Sequence, residues 1–103
     1  MEETLVKDED KTSYYAIAQG IVLQYLKNPN SASFPWGIDE IGFEKDGDIV
    51  AVQGYVDTTN SFGSQVRNQW TVEFRVSDLS SLSYETLYVN IDGQSSGTFI
   101  ELG

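Results

Sequence analysis

The stretch from Ile49 to Val76, IVAVQGYVDTTNSFGSQVRNQWTVEFRV, favours one local arrangement. It reads as two long β-strands folded back on each other about Ser61-Phe62-Gly63. A three-residue hairpin loop commonly ends in a residue at positive φ, and Gly63 supplies that conformation without a Cβ clash. One register then satisfies three relations together. Val50, Val52, Gly54 and Val56 share a face with Phe74, Val72, Trp70 and Asn68. The missing side chain of Gly54 lies opposite the large indole of Trp70. On the other face Asp57 meets Arg67, an opposite-charge cross-strand pair. A slip of one residue would break all three at once.

The flanking sequence extends this hairpin in both directions. Asp46-Gly47 is a two-residue turn signal, and pairing Lys45 with Asp48 sets Phe43 opposite Val50 and Ile41 opposite Val52. This predicts a strand over Ile38 to Lys45, weakened by Gly42. Both turns then give one apolar face: Ile41, Phe43, Val50, Val52, Val56, Trp70, Val72, Phe74 and Val76. After a turn at DLSSLS anchored by Leu79 and Leu82, Tyr84 to Ile91 alternates. Leu87, Val89 and Ile91 fall on one side, and Tyr84, Thr86, Tyr88 and Asn90 on the other. Asp92-Gly93 opens a Gly- and Ser-rich loop, with a short last strand expected over Thr98 to Leu102.

Upstream, Tyr14, Ile17, Ala18, Ile21, Val22 and Tyr25 follow helical spacing, with Leu26 widening the stripe. Thr12 or Ser13 can cap the first turn, and Pro29 ends the helix by Asn28. Gly20 within the pattern suggests close approach of helix to sheet, and Phe34 and Trp36 suit plugs at the core edge. Residues 1–11 read as a flexible acidic segment and residues 12–103 as one domain. A helix followed by four or five antiparallel strands predicts an α+β fold, the helix lying across a meander in a cystatin-like roll.

Composition narrows the functions open to such a domain. The chain of 103 residues can bury a core without staples. It contains no cysteine, which excludes disulfides and thiolate metal sites. It contains no histidine, the commonest general base and transition-metal ligand. Six basic against sixteen acidic residues give a net charge of −10, which opposes direct binding to nucleic acid or anionic lipid. No apolar run approaches the roughly 20 residues of a membrane span, so no membrane insertion is expected. The opening MEETLVKDEDK lacks the basic and apolar regions of a signal peptide. The expected compartment is the cell surface if an anchor precedes this chain, and the cytoplasm otherwise.

Two phrases resemble a known family. Leu26-Lys27-Asn28-Pro29-Asn30-Ser31-Ala32-Ser33-Phe34-Pro35 resembles an LK-x-P-x-(S/T)-A-x-F-P segment. Val52-Gln53-Gly54-Tyr55-Val56-Asp57, with Asn60-Ser61-Phe62-Gly63 and Val66-Arg67, resembles V-x-G-Y-V-D-x-x-N-x-F-G-x-x-V-R. Both are similar to a small domain of lipoproteins and membrane-tethered proteins in Gram-positive bacteria and their phages. The resemblance covers roughly residues 14 to 76 and implies the helix-then-meander order. No chemistry attaches to its motif.

Candidate sites follow from placement. Phe62 at a hairpin tip either tucks back onto the core or meets a partner. Tyr55, Tyr84 and Tyr88 fall on the sheet face away from the helix, where tyrosine suits contact with a protein or glycan. Arg67 with Asp57 is either a ligand clamp or a surface ion pair. Asp39, Glu40, Glu44, Asp46 and Asp48 form an acidic run without the spacing of a calcium loop. That run reads as a solvated edge, or as mimicry of nucleic acid against a basic cleft. Asp57 and Glu73 are the carboxylate pair to weigh for glycoside chemistry. The expected function is a non-enzymatic protein-interaction module of bacterial or phage origin, without cofactor or metal. The alternatives are an acidic inhibitor imitating nucleic acid and a structural spacer of a cell-surface protein.

Overall fold

A computed structural model describes residues 8–26 and 28–96. One helix, α1 (Asp8–Tyr25), precedes a short 3-10 turn (Pro29–Ser31) and five strands: β1 (Gly42–Asp46), β2 (Ile49–Thr59), β3 (Gln65–Asp78), β4 (Ser83–Ile91) and β5 (Gln94–Ser96). The strands form one antiparallel sheet whose spatial order is their sequence order. The helix packs across β2, β3 and β4 on one face, an α+β arrangement.

The central hairpin has the expected register, with Gly54 opposite Trp70 and Asp57 opposite Arg67. Asn60 and Ser64 close its loop through a 2.9 Å backbone hydrogen bond, and Gly63 has φ of 83°. The inward residues Val50, Val52, Val56, Trp70, Val72, Phe74 and Val89 meet Tyr14, Ile17, Ala18, Ile21 and Val22 of the helix in a continuous buried core. Phe43 and Val76 are half-buried at its margin.

Several local expectations are corrected. The β1–β2 register is Phe43 opposite Val52 and Lys45 opposite Val50, two residues from the expected pairing. Only Gly47 of the Asp46-Gly47 pair takes positive φ, 65°. Asp46 instead pairs with Ile49, leaving Gly47 first of the two loop residues, where a type II′ turn places glycine. Because the shift is even, no side chain changes face. β1 begins at Gly42 rather than Ile38, since Ile38 to Ile41 forms a turn closed by an Ile41 N–H to Ile38 C=O bond of 3.1 Å.

The helix begins at Asp8, before the expected Thr12 or Ser13. An acidic residue such as Asp10 in a first turn complements the positive end of the helix dipole, so the charged stretch does not oppose helix formation. Tyr25 is exposed, whereas Leu26 beyond the helix end packs on the core. Tyr15, outside the expected stripe, is buried and donates its hydroxyl to the Pro35 carbonyl at 2.9 Å. Its ring stacks on Trp70, and Phe34 meets both edge-on. Phe34 is therefore a core plug, but Trp36 is fully exposed in the bend that follows. A Cβ on Gly20 would meet open space, so that glycine does not bring helix and sheet together.

At the other end of the sheet, Leu79 packs on the core while Leu82 is exposed at φ of 55°. Asp92 and Gly93 both take positive φ, 55° and 86°, as a two-residue type I′ turn requires. They close a hairpin directly into β5, Ile91 opposite Gln94, in place of the expected loop. Residues Thr98 to Leu102 lie outside the described residues. Among the described residues no helix is long and apolar enough to cross a membrane.

Candidate functional site

The face of the sheet turned away from the helix collects most of the side chains with chemical character. Alternation along β2 places Ala51, Gln53, Tyr55 and Asp57 there. β3 contributes Arg67, Gln69, Thr71 and Glu73, and β4 contributes Tyr88 and Asn90. β1 adds Glu44, opposite Ala51.

Three of these groups are linked with Glu40 from the turn before β1. Arg67 donates through Nε to Asp57 Oδ1 at 2.9 Å and through Nη2 to Oδ2 at 3.1 Å. The same guanidinium lies 3.9 Å from the centre of the Tyr55 ring, within cation–π distance. Tyr55 donates its hydroxyl to Glu40 Oε1 at 2.7 Å. The hydrogen bond from Arg67 holds the Asp57 carboxyl below its usual range, and Asp57 raises Arg67 in return. The bond to Glu40 raises the Tyr55 hydroxyl, because ionising it would forfeit that donor. The Nε–Nη2 edge of the guanidinium, one of the two a carboxylate ligand can use, is thus engaged within the chain. An exposed pair of this kind is screened by solvent and contributes little to stability. Its effect is to hold Tyr55 flat beneath Arg67.

Beside this cluster is an open polar groove of about 310 Å³, lined by Glu40, Gln53, Tyr55, Gln69, Thr71 and Asn90 among others. Its amides and hydroxyls offer donors and acceptors, with Glu40 the one carboxylate lining it among the described residues. Asp57 and Glu73 do not converge for glycoside chemistry. Arg67, opposite Asp57, stands six residues from Glu73 on β3, which is about 20 Å along a strand against the roughly 5–10 Å such a pair requires.

Glu73 is the unusual member of this face. It is 8% exposed, and its Oε1 has no hydrogen-bond partner among the described residues. Burial pushes its carboxyl above the usual range, and the nearby Glu44 adds to the shift. Tyr88 stands opposite it and accepts a 3.0 Å hydrogen bond from Asn90 Nδ2.

Tyr84 is not on this face. β4 carries a bulge at Leu87, between the pairs Glu73–Tyr88 and Phe74–Thr86. The extra residue reverses the alternation beyond it, so Tyr84 pairs with Val76 and packs edge-on against Phe74 at 6.0 Å.

Phe62 projects at the hairpin tip, 90% exposed. Its loop is well braced: Asn60 Oδ1 accepts the Phe62 N–H at 2.9 Å and the Ser64 N–H at 3.0 Å. Asp39 and Glu40 precede β1, Asp46 ends it and Asp48 follows Gly47 in the loop, with Glu44 between on the outer face. Asp48 lies 3.6 Å from Arg75. Among the described residues no three carboxylates gather as a metal-holding group.

Two contacts escaped sequence reading, and a signal existed for the first alone. Tyr55 and Arg67 are diagonal neighbours in the predicted register, and diagonal pairs reach each other when the side chains are long. The Tyr55–Glu40 bond depends on the turn over Ile38 to Ile41, which no local pattern announces. Comparison with family models, with characterised proteins and with solved structures returns no match.

Proposed function

We propose that this domain is a non-enzymatic protein-interaction module, of the kind tethered to bacterial or phage surfaces, contacting its partner through the hairpin tip and outer sheet face. The exposure of Phe62 on a braced loop carries this reading. An apolar ring at 90% exposure contributes almost nothing to the core. It offers large contact area with little side-chain entropy to lose. Tyr55, held by Arg67 and Glu40, and Tyr88 extend the same surface with ordered rings.

Phe62→Ala tests it. The melting temperature should stay within a few degrees, while capture of the native partner weakens more than about tenfold, near 1.4 kcal/mol. Charge reversal at Asp46 and Asp48 should matter less. A large loss on that reversal, steepened by salt, would instead favour mimicry of nucleic acid.

A further inference from the structure

The edges of the long hairpin are closed unevenly. Along β2, the backbone of Ser33 bonds Asp57 in both directions, at 2.8 and 3.0 Å. Beyond it Ser31 Oγ accepts the Thr59 N–H at 3.0 Å, and Asn28 Nδ2 donates to the Thr59 carbonyl at 3.1 Å. Along β3, pairing with β4 starts only at Trp70, opposite Ile91. Asp92 closes one further position: its Oδ1 accepts the Gln69 N–H at 2.9 Å and its N–H donates to the Gln69 carbonyl at 2.8 Å. From Gln65 to Asn68, no strand among the described residues lies against this edge.

The antiparallel alternation identifies which groups are left there. Asp57 spends its N–H and C=O on Ser33, so Arg67 opposite it points both backbone groups away from β2. Gln69 points the same way, towards Asp92. Gln65 pairs with Thr59, whose N–H is turned to Ser31, and is in phase with both. Gln65 and Arg67 therefore present an N–H and a C=O each, at the spacing of a strand. The usual protections of such an edge are missing: this stretch has no proline, no lysine and no bulge, and its one cation is engaged by Asp57.

We infer that this edge receives an extended, net-positive peptide segment of another protein, which adds a strand beside Gln65 and Arg67. This rests on the interaction-module reading and gives it a binding mode. An extended backbone is the chemistry that matches alternating donors and acceptors. The charge of −10 repels a second copy of this chain and attracts a basic segment. Val66, exposed at the edge on the inner side, favours an apolar side chain beside it. Asp92, exposed where β4 departs, favours a cationic side chain at the near end of the peptide.

The test uses the full isotope-labelled chain and an end-blocked synthetic peptide of about nine residues alternating lysine and valine, long enough to span the edge. Its addition should slow amide exchange of Gln65 and Arg67 at least tenfold, leaving Val66 and Asn68, already bonded to β2, unchanged. The same peptide N-methylated on alternate residues should give no slowing. Gln65→Pro, which removes one edge donor at the first strand position, should weaken peptide binding more than about tenfold. Equal slowing by the N-methylated peptide would overturn the inference, reducing it to charge attraction. Preference for a glutamate–valine peptide would overturn it too. So would protection of Arg67 that grows with protein concentration alone, which assigns the edge to a second copy. Peptide response and partner capture are read separately. If Phe62→Ala abolishes capture while the peptide protects neither amide, strand addition fails and the module reading stands. If Phe62→Ala leaves capture intact, that reading fails at its own site.

Discussion

Val50, Val52 and Val56 point one way from β2 and are wholly buried; Ala51, Gln53, Tyr55 and Asp57, interleaved with them, point the other way and remain half-buried or exposed. The same backbone carries both sets. On the helix side, order comes from dense apolar packing of large and small groups, Gly54 making room for Trp70 and Ile41. On the outer side it comes from directional bonds: Tyr55 to Glu40, Arg67 to Asp57, Asn90 to Tyr88. The first kind of order resists substitution and has no selectivity for a ligand. The second holds rings and amides in place while leaving them accessible to one.

That contrast is sharpest in the helix. Ile21, almost completely buried, should lose about 2–5 kcal/mol of unfolding free energy on change to alanine, while exposed Gln24→Ala should lose almost nothing. Denaturant titration of the two variants checks this. Equal, small losses would mean that the inner face is not held by the docked helix.

A smaller effect is expected at Gly54. A Cβ there would stand 2.8 Å from Ile41 Cδ1 and 3.0 Å from Trp70 Cζ2. Ile41 can turn its terminal methyl aside, but the indole is packed between Tyr15 and Phe34. Gly54→Val should therefore destabilise by about 1–3 kcal/mol despite the higher strand propensity of valine, and Gly54→Ala by less. A valine variant melting higher than the parent would show that the inner face has slack.

The smallest shift should come from Glu73, where the outer face buries a group after all. Burial and Glu44 raise its carboxyl, so the folded protein holds that proton more tightly than the unfolded chain does. The stabilisation this gives is present at low pH and lost as pH rises through the raised folded value. Above that value the buried carboxylate is charged and unfavourable. Glu73→Gln should raise the melting temperature at pH 7 by a few degrees, and the gain should shrink as pH falls to about 4, near the range of an unperturbed glutamate. Thermal melts at both pH values decide it. An equal gain at both, or a loss at pH 7, would mean that the carboxylate has a partner.

The hairpin was legible because several independent relations agreed on its register: Gly54 with Trp70, Asp57 with Arg67, and Gly63 at its turn. Where one dipeptide had to decide alone, sequence reasoning failed. Asp46-Gly47 and Asp92-Gly93 are the same pair, yet the first supplies only its glycine to a II′-like loop and the second forms both positions of a I′ turn. The bulge at Leu87 was invisible because alternation continues through it in the sequence, while in space it turns Tyr84 to the helix side of the sheet, edge-on to Phe74. Trp36 misled because its size suggested a plug, although the following turn carries it outward. On the candidate surface, Tyr55, Tyr88 and Arg67 were placed on the correct face by periodicity. The bond to Glu40, spanning 15 residues of sequence, was beyond it.

Spatial order equal to sequence order also bears on how the fold is reached. Each strand meets the one just before it, so the sheet can assemble by successive short closures, each costing little chain entropy. The helix is different: it lies before every strand it covers and must wait for partners some 30 to 70 residues away. On this topology the meander would form early with its valine-rich face bare. Helix docking would then be the step that covers that face.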